Sequence, residues 1–175
     1  MSTPSAASGS SDQGPIGLVG PSERDWLDRA VAAATENVAA GGGPFGALVI
    51  QDGRLVSSGV NQVTATLDPT AHAEVMAIRA ACRTLGTFTL AGCTLVASCE
   101  PCPLCLSAAL WARMDRVVFA ADRNDAAAAG FDDREFYEVF RSPAEQWPLI
   151  LEQVPGEGAT QPFKHWLART TRIAY

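Results

Sequence analysis

A chain of 175 residues, 47% hydrophobic and 18% charged, has the size and apolar content of one ordinary domain with a proper core. It holds no run of about eighteen apolar residues, which excludes a membrane-spanning helix. Its formal charge of −6 argues against a nucleic-acid partner, since polynucleotide binding draws on basic patches and a basic balance.

Residues 1–21 are rich in Ser, Gly, Ala and Pro and lack an apolar block. They read as a flexible N-terminal tail, neither a secretory signal nor a basic transit peptide. The domain proper then covers 22–175. Residues 22–40 predict a helix, with Ser22 as N-cap, Glu23 and Asp25 in the first turn, and Gly41-Gly42-Gly43 as its stop. Residues 45–51 and 55–60 predict two strands around the hairpin signal Asp52-Gly53. Asp68-Pro69-Thr70 opens a second helix that runs to about residue 85, with Val75, Ile78, Cys82 and Leu85 at helical spacing. A strand over 94–98, a helix over 103–112 and a strand over 116–121 follow, then a helix over 131–140, a last strand over 149–154 and a last helix over 162–170. Strands alternating with helices predict an α/β three-layer sandwich, one mixed sheet between helical layers.

Two short motifs carry chemistry. The first is His72-x-Glu74, which contains one of only two histidines; the second is Pro101-Cys102-x-x-Cys105. The five cysteines are an odd count with no disulfide framework, and a C-x-x-C pair in a cytosolic chain indicates metal or redox chemistry. Cys102 and Cys105 fall roughly 60° apart around a helix, on one face. With His72 they make a zinc site of three protein ligands and one open position. His165 is far off in sequence, and Cys82, Cys93 and Cys99 lack metal-pair spacing, so no fourth protein ligand suggests itself. An open position holds water, whose pKa zinc lowers from about 16 to about 7. Residues two apart on a helix point roughly 200° apart, so His72 and Glu74 can share a metal only at a helix start. His72 is then the ligand, and Glu74 the proton shuttle beside the water. A lone His-x-Glu carries little weight, and a lone C-x-x-C suits redox or structural metal equally well. The two in this order are the signature of zinc nucleobase deaminases.

The stretches PFGALVI, NQVTATLDPTAHAEVMAIRAAC, SCEPCPLCLSAALWAR, AAAAGFDD and PFKHWLARTTRIAY, which span most of the chain from Pro44 onward, resemble the cytidine deaminase-like superfamily. Within it they are most similar to the bacterial guanine deaminases, for which AGFDD and the aromatic C-terminal end discriminate. The resemblance implies a five-stranded mixed sheet flanked by helices and one Zn2+ per subunit. It implies hydrolytic deamination of guanine to xanthine and ammonia by a cytoplasmic enzyme. Asn61 then hydrogen-bonds the purine, Phe45, Ala73 and Trp111 lie beside the base, and Asp133 is a second catalytic acid. Tyr175 belongs to a C-terminal lid over about 162–175, in a homodimer that exchanges its C-terminal segments. Plainer readings stand beside these: a turn asparagine for Asn61, core aromatics for Phe45 and Trp111, and helix N-terminal acids for Asp132 and Asp133. The alternative substrates are another free base or heterocycle (cytosine, a triazine, a pterin) and tRNA adenosine. A non-catalytic zinc module would lack Glu74. The tail has no counterpart in the pattern, and residues 145–161 match it loosely.

Overall fold

Ser22 caps the first helix as its sequence implies. Its hydroxyl accepts the Asp25 N–H at 3.2 Å while the Asp25 carboxylate accepts the Ser22 N–H at 2.7 Å, a reciprocal capping box. The computed structural model describes residues 20–174, so the tail expected over 1–21 lies almost wholly outside the described residues, as does Tyr175.

Helix α1 (Glu23–Ala39) turns Trp26, Ala30 and Ala34 inward. Strands β1 (Gly46–Gln51) and β2 (Arg54–Val60) form an antiparallel hairpin. Its turn residues Asp52 and Gly53 have φ of 49° and 69°, the pair of positive values a two-residue hairpin turn requires. On its other edge β1 pairs antiparallel with β3 (Cys93–Cys99), and β3 pairs parallel with β4 (Arg116–Ala121). The order is β2-β1-β3-β4.

The central strands β1 and β3 are buried on both faces, which their nearly unbroken apolar runs GALVI and CTLVASC reflect. One face packs Leu48, Ile50 and Val96 under Trp26 and Ala30 of α1. The other packs Ala47, Val49 and Leu95 under helices α3 (Ala73–Leu85) and α4 (Pro103–Trp111). Helix α3 comes so close to β2 that a Cβ on Gly59 would lie 2.4 Å from the Ala73 carbonyl. Only glycine fits there, and that contact fixes the start of α3 over the sheet. Shorter helices complete the chain: α2 (Val63–Thr66), α5 (Arg123–Ala128), α6 (Arg134–Arg141) and α7 (Gln161–Ala168).

The α/β sandwich is as expected, with two corrections. The sheet has four strands among the described residues, not five. Residues 149–154 pair with no strand, and Leu149, Ile150, Leu151 and Val154 stand 65–88% exposed. An apolar run supplies the side chains of a strand but not a neighbouring edge to bond to. The second helix begins at Ala73 and not at Asp68. The Asp68 carboxylate accepts from the Thr70 N–H and hydroxyl at 2.8 and 2.7 Å, closing an Asx turn that precedes the helix. No described helix is long and apolar enough to cross a membrane.

Candidate active site

The later helix start puts His72 in an unusual place. His72 is the N-cap of α3 and Cys102 the N-cap of α4, with extended ψ of 152° and 169°. An N-cap side chain ordinarily folds back onto its own helix N–H groups. Neither of these does, and both donor atoms reach across the gap between the two helices instead. Pro103 sits at the first helical position of α4, where a missing N–H breaks no helical bond. Cys105 is therefore the third helical residue. N-cap and third-residue side chains are the pair that meet in a capping box, so the C-x-x-C spacing brings two sulfurs to one point at a helix start.

The three donors converge. His72 Nδ1 lies 3.5 Å from Cys102 Sγ and 3.4 Å from Cys105 Sγ, and the two sulfurs are 3.5 Å apart. A tetrahedral zinc centre with bonds of about 2.0–2.3 Å has ligand–ligand edges of about 3.5–3.8 Å, so the triangle fits that ion. The donors also share protons. The hydrogen bond with Cys105 holds the Cys102 thiol well below its ordinary range, and His72 adds to that. The same bond together with burial pushes Cys105 up, and the bond to Cys102 raises His72. Among the described residues this is the one His/Cys/Cys group whose donors come within 4.8 Å of one another.

Two carboxylates share the space in front of this triangle. Glu74, the second residue of α3, is 6% exposed, and burial pushes its proton affinity up. Asp133 precedes α6 but makes no capping bond, so the helix-terminal reading has no bond to support it. That role goes to Asp132, whose Oδ1 accepts from Arg134 N at 3.2 Å and Nε at 2.7 Å. Among the described residues Asp133 Oδ1 is buried without a partner, and burial is the first cause that raises the group's proton affinity. An unpaired buried carboxylate oxygen is costly, about 1–3 kcal/mol or more, which marks it as waiting for a donor that the described residues do not supply.

Behind the metal loop, Glu100 accepts from Arg123 N at 3.1 Å, from its Nε at 2.9 Å and from its Nη2. The Arg123 guanidinium lies 3.9 Å over the Tyr137 ring, and the Tyr137 hydroxyl donates to the Pro101 carbonyl at 3.1 Å. This network holds α6, and with it Asp133, against the Cys102 loop.

A cavity of about 520 Å³ joins these groups; Phe45, Asn61, His72, Glu74, Cys102 and Asp133 are all on its wall. Phe131 meets Phe45 edge-on, with ring centroids 5.1 Å apart at 87°. Sequence reasoning gave no role to Phe131, whose one signal is its place just before Asp132-Asp133, nor to the Gly41-Gly42-Gly43 loop, read only as a helix stop. Ala73 is fully buried between ligand and shuttle and is not on the wall. Trp111 ends α4, is 64% exposed and is not on this cavity wall. Six residues beyond Cys105, it is rotated about 120° away around the helix.

Comparison with known proteins agrees with this geometry. The sequence profile of the cytidine and deoxycytidylate deaminase zinc-binding region matches residues 21–121. The chain is 50% identical over 142 residues to the guanine deaminase of Bacillus subtilis strain 168, spanning 81% of this chain and 91% of that protein. The X-ray structure of guanine deaminase from Bacillus subtilis superposes with a TM-score of 0.86 at 46% identity, covering 89% of this chain and 99% of that one. The tRNA-specific adenosine deaminase of Bacillus subtilis is 34% identical over 132 residues, 75% of this chain and 82% of that protein.

Proposed function

The chain belongs to the cytidine and deoxycytidylate deaminase zinc-binding family, and we propose that its reaction is the hydrolytic deamination of guanine to xanthine and ammonia. The observation that carries the choice of guanine is the unpartnered Asp133 carboxylate oxygen on the same cavity wall as Glu74. One acid serves the reaction centre. The other accepts from N–H donors of the substrate, and guanine presents a ring N–H beside its amino group where cytosine presents an acceptor nitrogen.

His72, Cys102 and Cys105 would hold a zinc ion, which when bound would supply a water acidified to near neutrality. The chain's own residues do the rest. Glu74 takes up the two protons of the attacking water in turn and delivers the first to the ring nitrogen and the second to the departing amine. Its burial suits this, because a carboxylate with raised proton affinity holds the proton between the two transfers. Asn61 and Asp133 orient the purine by hydrogen bonds, and Phe45 packs on its ring. Replacing Asp133 by Asn keeps the shape and removes the anionic acceptor. We expect kcat/KM for guanine to fall about 100-fold, as for loss of a charged hydrogen bond, at unchanged zinc content. Steady-state kinetics with bound-zinc analysis checks this, and undiminished guanine turnover refutes Asp133 as the purine reader.

The enzyme works as a cytoplasmic homodimer in purine catabolism. A single copy leaves a broad apolar surface on its C-terminal part: Ile150, Leu151, Phe163 and Leu167 are each at least 65% exposed. A second copy that exchanges C-terminal segments buries this surface. Each Ile or Leu so buried contributes about 1.5–3 kcal/mol. Aspartate at both Ile150 and Leu151 should therefore weaken the dimer about 100-fold or more. Sedimentation of the wild type as a dimer and of the double variant as a monomer is the expected pair of results. A monomeric wild type at micromolar concentration contradicts the proposal.

A further inference from the structure

Asn37 has no part in the reaction as described, yet its bonds end at the site. It stands in the last turn of α1, partly buried. Its side-chain nitrogen donates to the Gly43 carbonyl at 2.8 Å and to the Asn61 carbonyl at 2.9 Å. Those bonds use both hydrogens of one amide. They tie together the end of α1, the glycine loop that follows it and the end of β2. The Asn61 backbone is held from the other side as well, because its N–H donates to the Phe45 carbonyl at 3.1 Å.

The Asn61 side chain is equally constrained. Its Oδ1 accepts the Val63 N–H at 3.3 Å, which leaves the amide nitrogen as the group free for a base acceptor. A Cβ on Gly43 would lie 2.9 Å from that Oδ1 and 3.0 Å from Cγ. Gly43 does not adopt the left-handed backbone that favours glycine, so the Asn61 side chain is what a side chain there would meet first.

We propose that Asn37 and Gly43 are positioning residues for purine recognition: Asn37 clamps the Asn61 backbone, and the bare Cα of Gly43 leaves room for the Asn61 amide in the orientation that the Val63 N–H selects, its nitrogen offered to an acceptor on the base. This rests on Asn61 as a base-binding residue. Neither residue touches the reacting atoms. Their loss should weaken the hold on substrate and transition state alike, which raises KM and leaves kcat nearly unchanged.

A double-mutant cycle tests this. Asn37→Ala should raise the KM for guanine about tenfold with kcat within about twofold and zinc content unchanged. Placed on an Asn61→Ala background, it should change KM no further. Gly43→Ala should follow the same pattern from the opposite side without removing any hydrogen bond, since Asn61→Ala deletes the Oδ1 and Cγ its methyl would meet. The Gly43 arm carries the test if Asn37→Ala fails to fold. KM effects that multiply in the double variants overturn the proposal, and so does an unchanged KM in Asn37→Ala and Gly43→Ala. If Asn61→Ala alone leaves the guanine KM unchanged, the base-binding role of Asn61 fails first, and the proposal fails with it.

Discussion

Glu74→Gln should retain its zinc and its fold and lose about 10²- to 10⁴-fold in kcat, the range for removal of a positioned general acid–base. Glutamine has the shape of glutamate, and position 74 is only 6% exposed, so a larger change would disturb the packing of α3. Glutamine cannot take up and release a proton. The three metal donors are other residues, His72, Cys102 and Cys105, so metal content should not move. Stability should hold or rise, because burial works against the ionised form of Glu74 and a neutral amide escapes that cost. Kinetics, metal analysis and thermal melting on one preparation check all three. Full activity in the variant would remove Glu74 from the mechanism; lost zinc would make it a ligand.

Cys105→Ser should abolish both metal and turnover. Cys105 is fully buried, and its sulfur lies 3.4–3.5 Å from the other two donors. A serine hydroxyl stays protonated at neutral pH and is a poor donor for this ion, so two protein ligands remain where a catalytic zinc site has three. The metal binds the folded chain and its ligands are brought together only by folding, so its loss also lowers the melting temperature. Bound zinc should fall from one per chain to near zero. A stoichiometric zinc content in this variant would displace Cys105 from the ligand set.

The metal triangle was legible in the sequence because its geometry is local. Cys102 and Cys105 occupy N-cap and third positions of one helix, and His72 is the N-cap of another, so spacing and capping signals carry the arrangement. The helix start itself was misplaced by five residues, since Asp68 and Thr70 look like a cap when they close a turn before it. Residues 149–154 have the composition of a strand, but whether an edge exists to receive them is a property of the assembled sheet. The type of Trp111 and its place in a family stretch suggest a base contact, whereas its rotation around α4, which only the helix geometry gives, takes it off this cavity wall. Asn37 gave no signal at all, because the carbonyls it bonds lie six and twenty-four residues away and one of them belongs to a glycine. The unpaired oxygen of Asp133 was equally hidden, since only the packed structure distinguishes it from the ordinary capping acid beside it.

The tRNA-specific adenosine deaminase of Bacillus subtilis is the more distant relative, at 34% identity against 50% for the guanine deaminase. A net charge of −6 does not suit a polynucleotide substrate. The most direct measurement is ammonia released by the purified, zinc-loaded enzyme from guanine, adenine, cytosine, cytidine and a triazine under identical conditions. The structure predicts guanine ahead of every other compound by about 100-fold or more in kcat/KM, because a site built to pair buried polar groups with one base leaves them unpaired with another. Comparable ammonia from a second compound, or none from guanine, would contradict it.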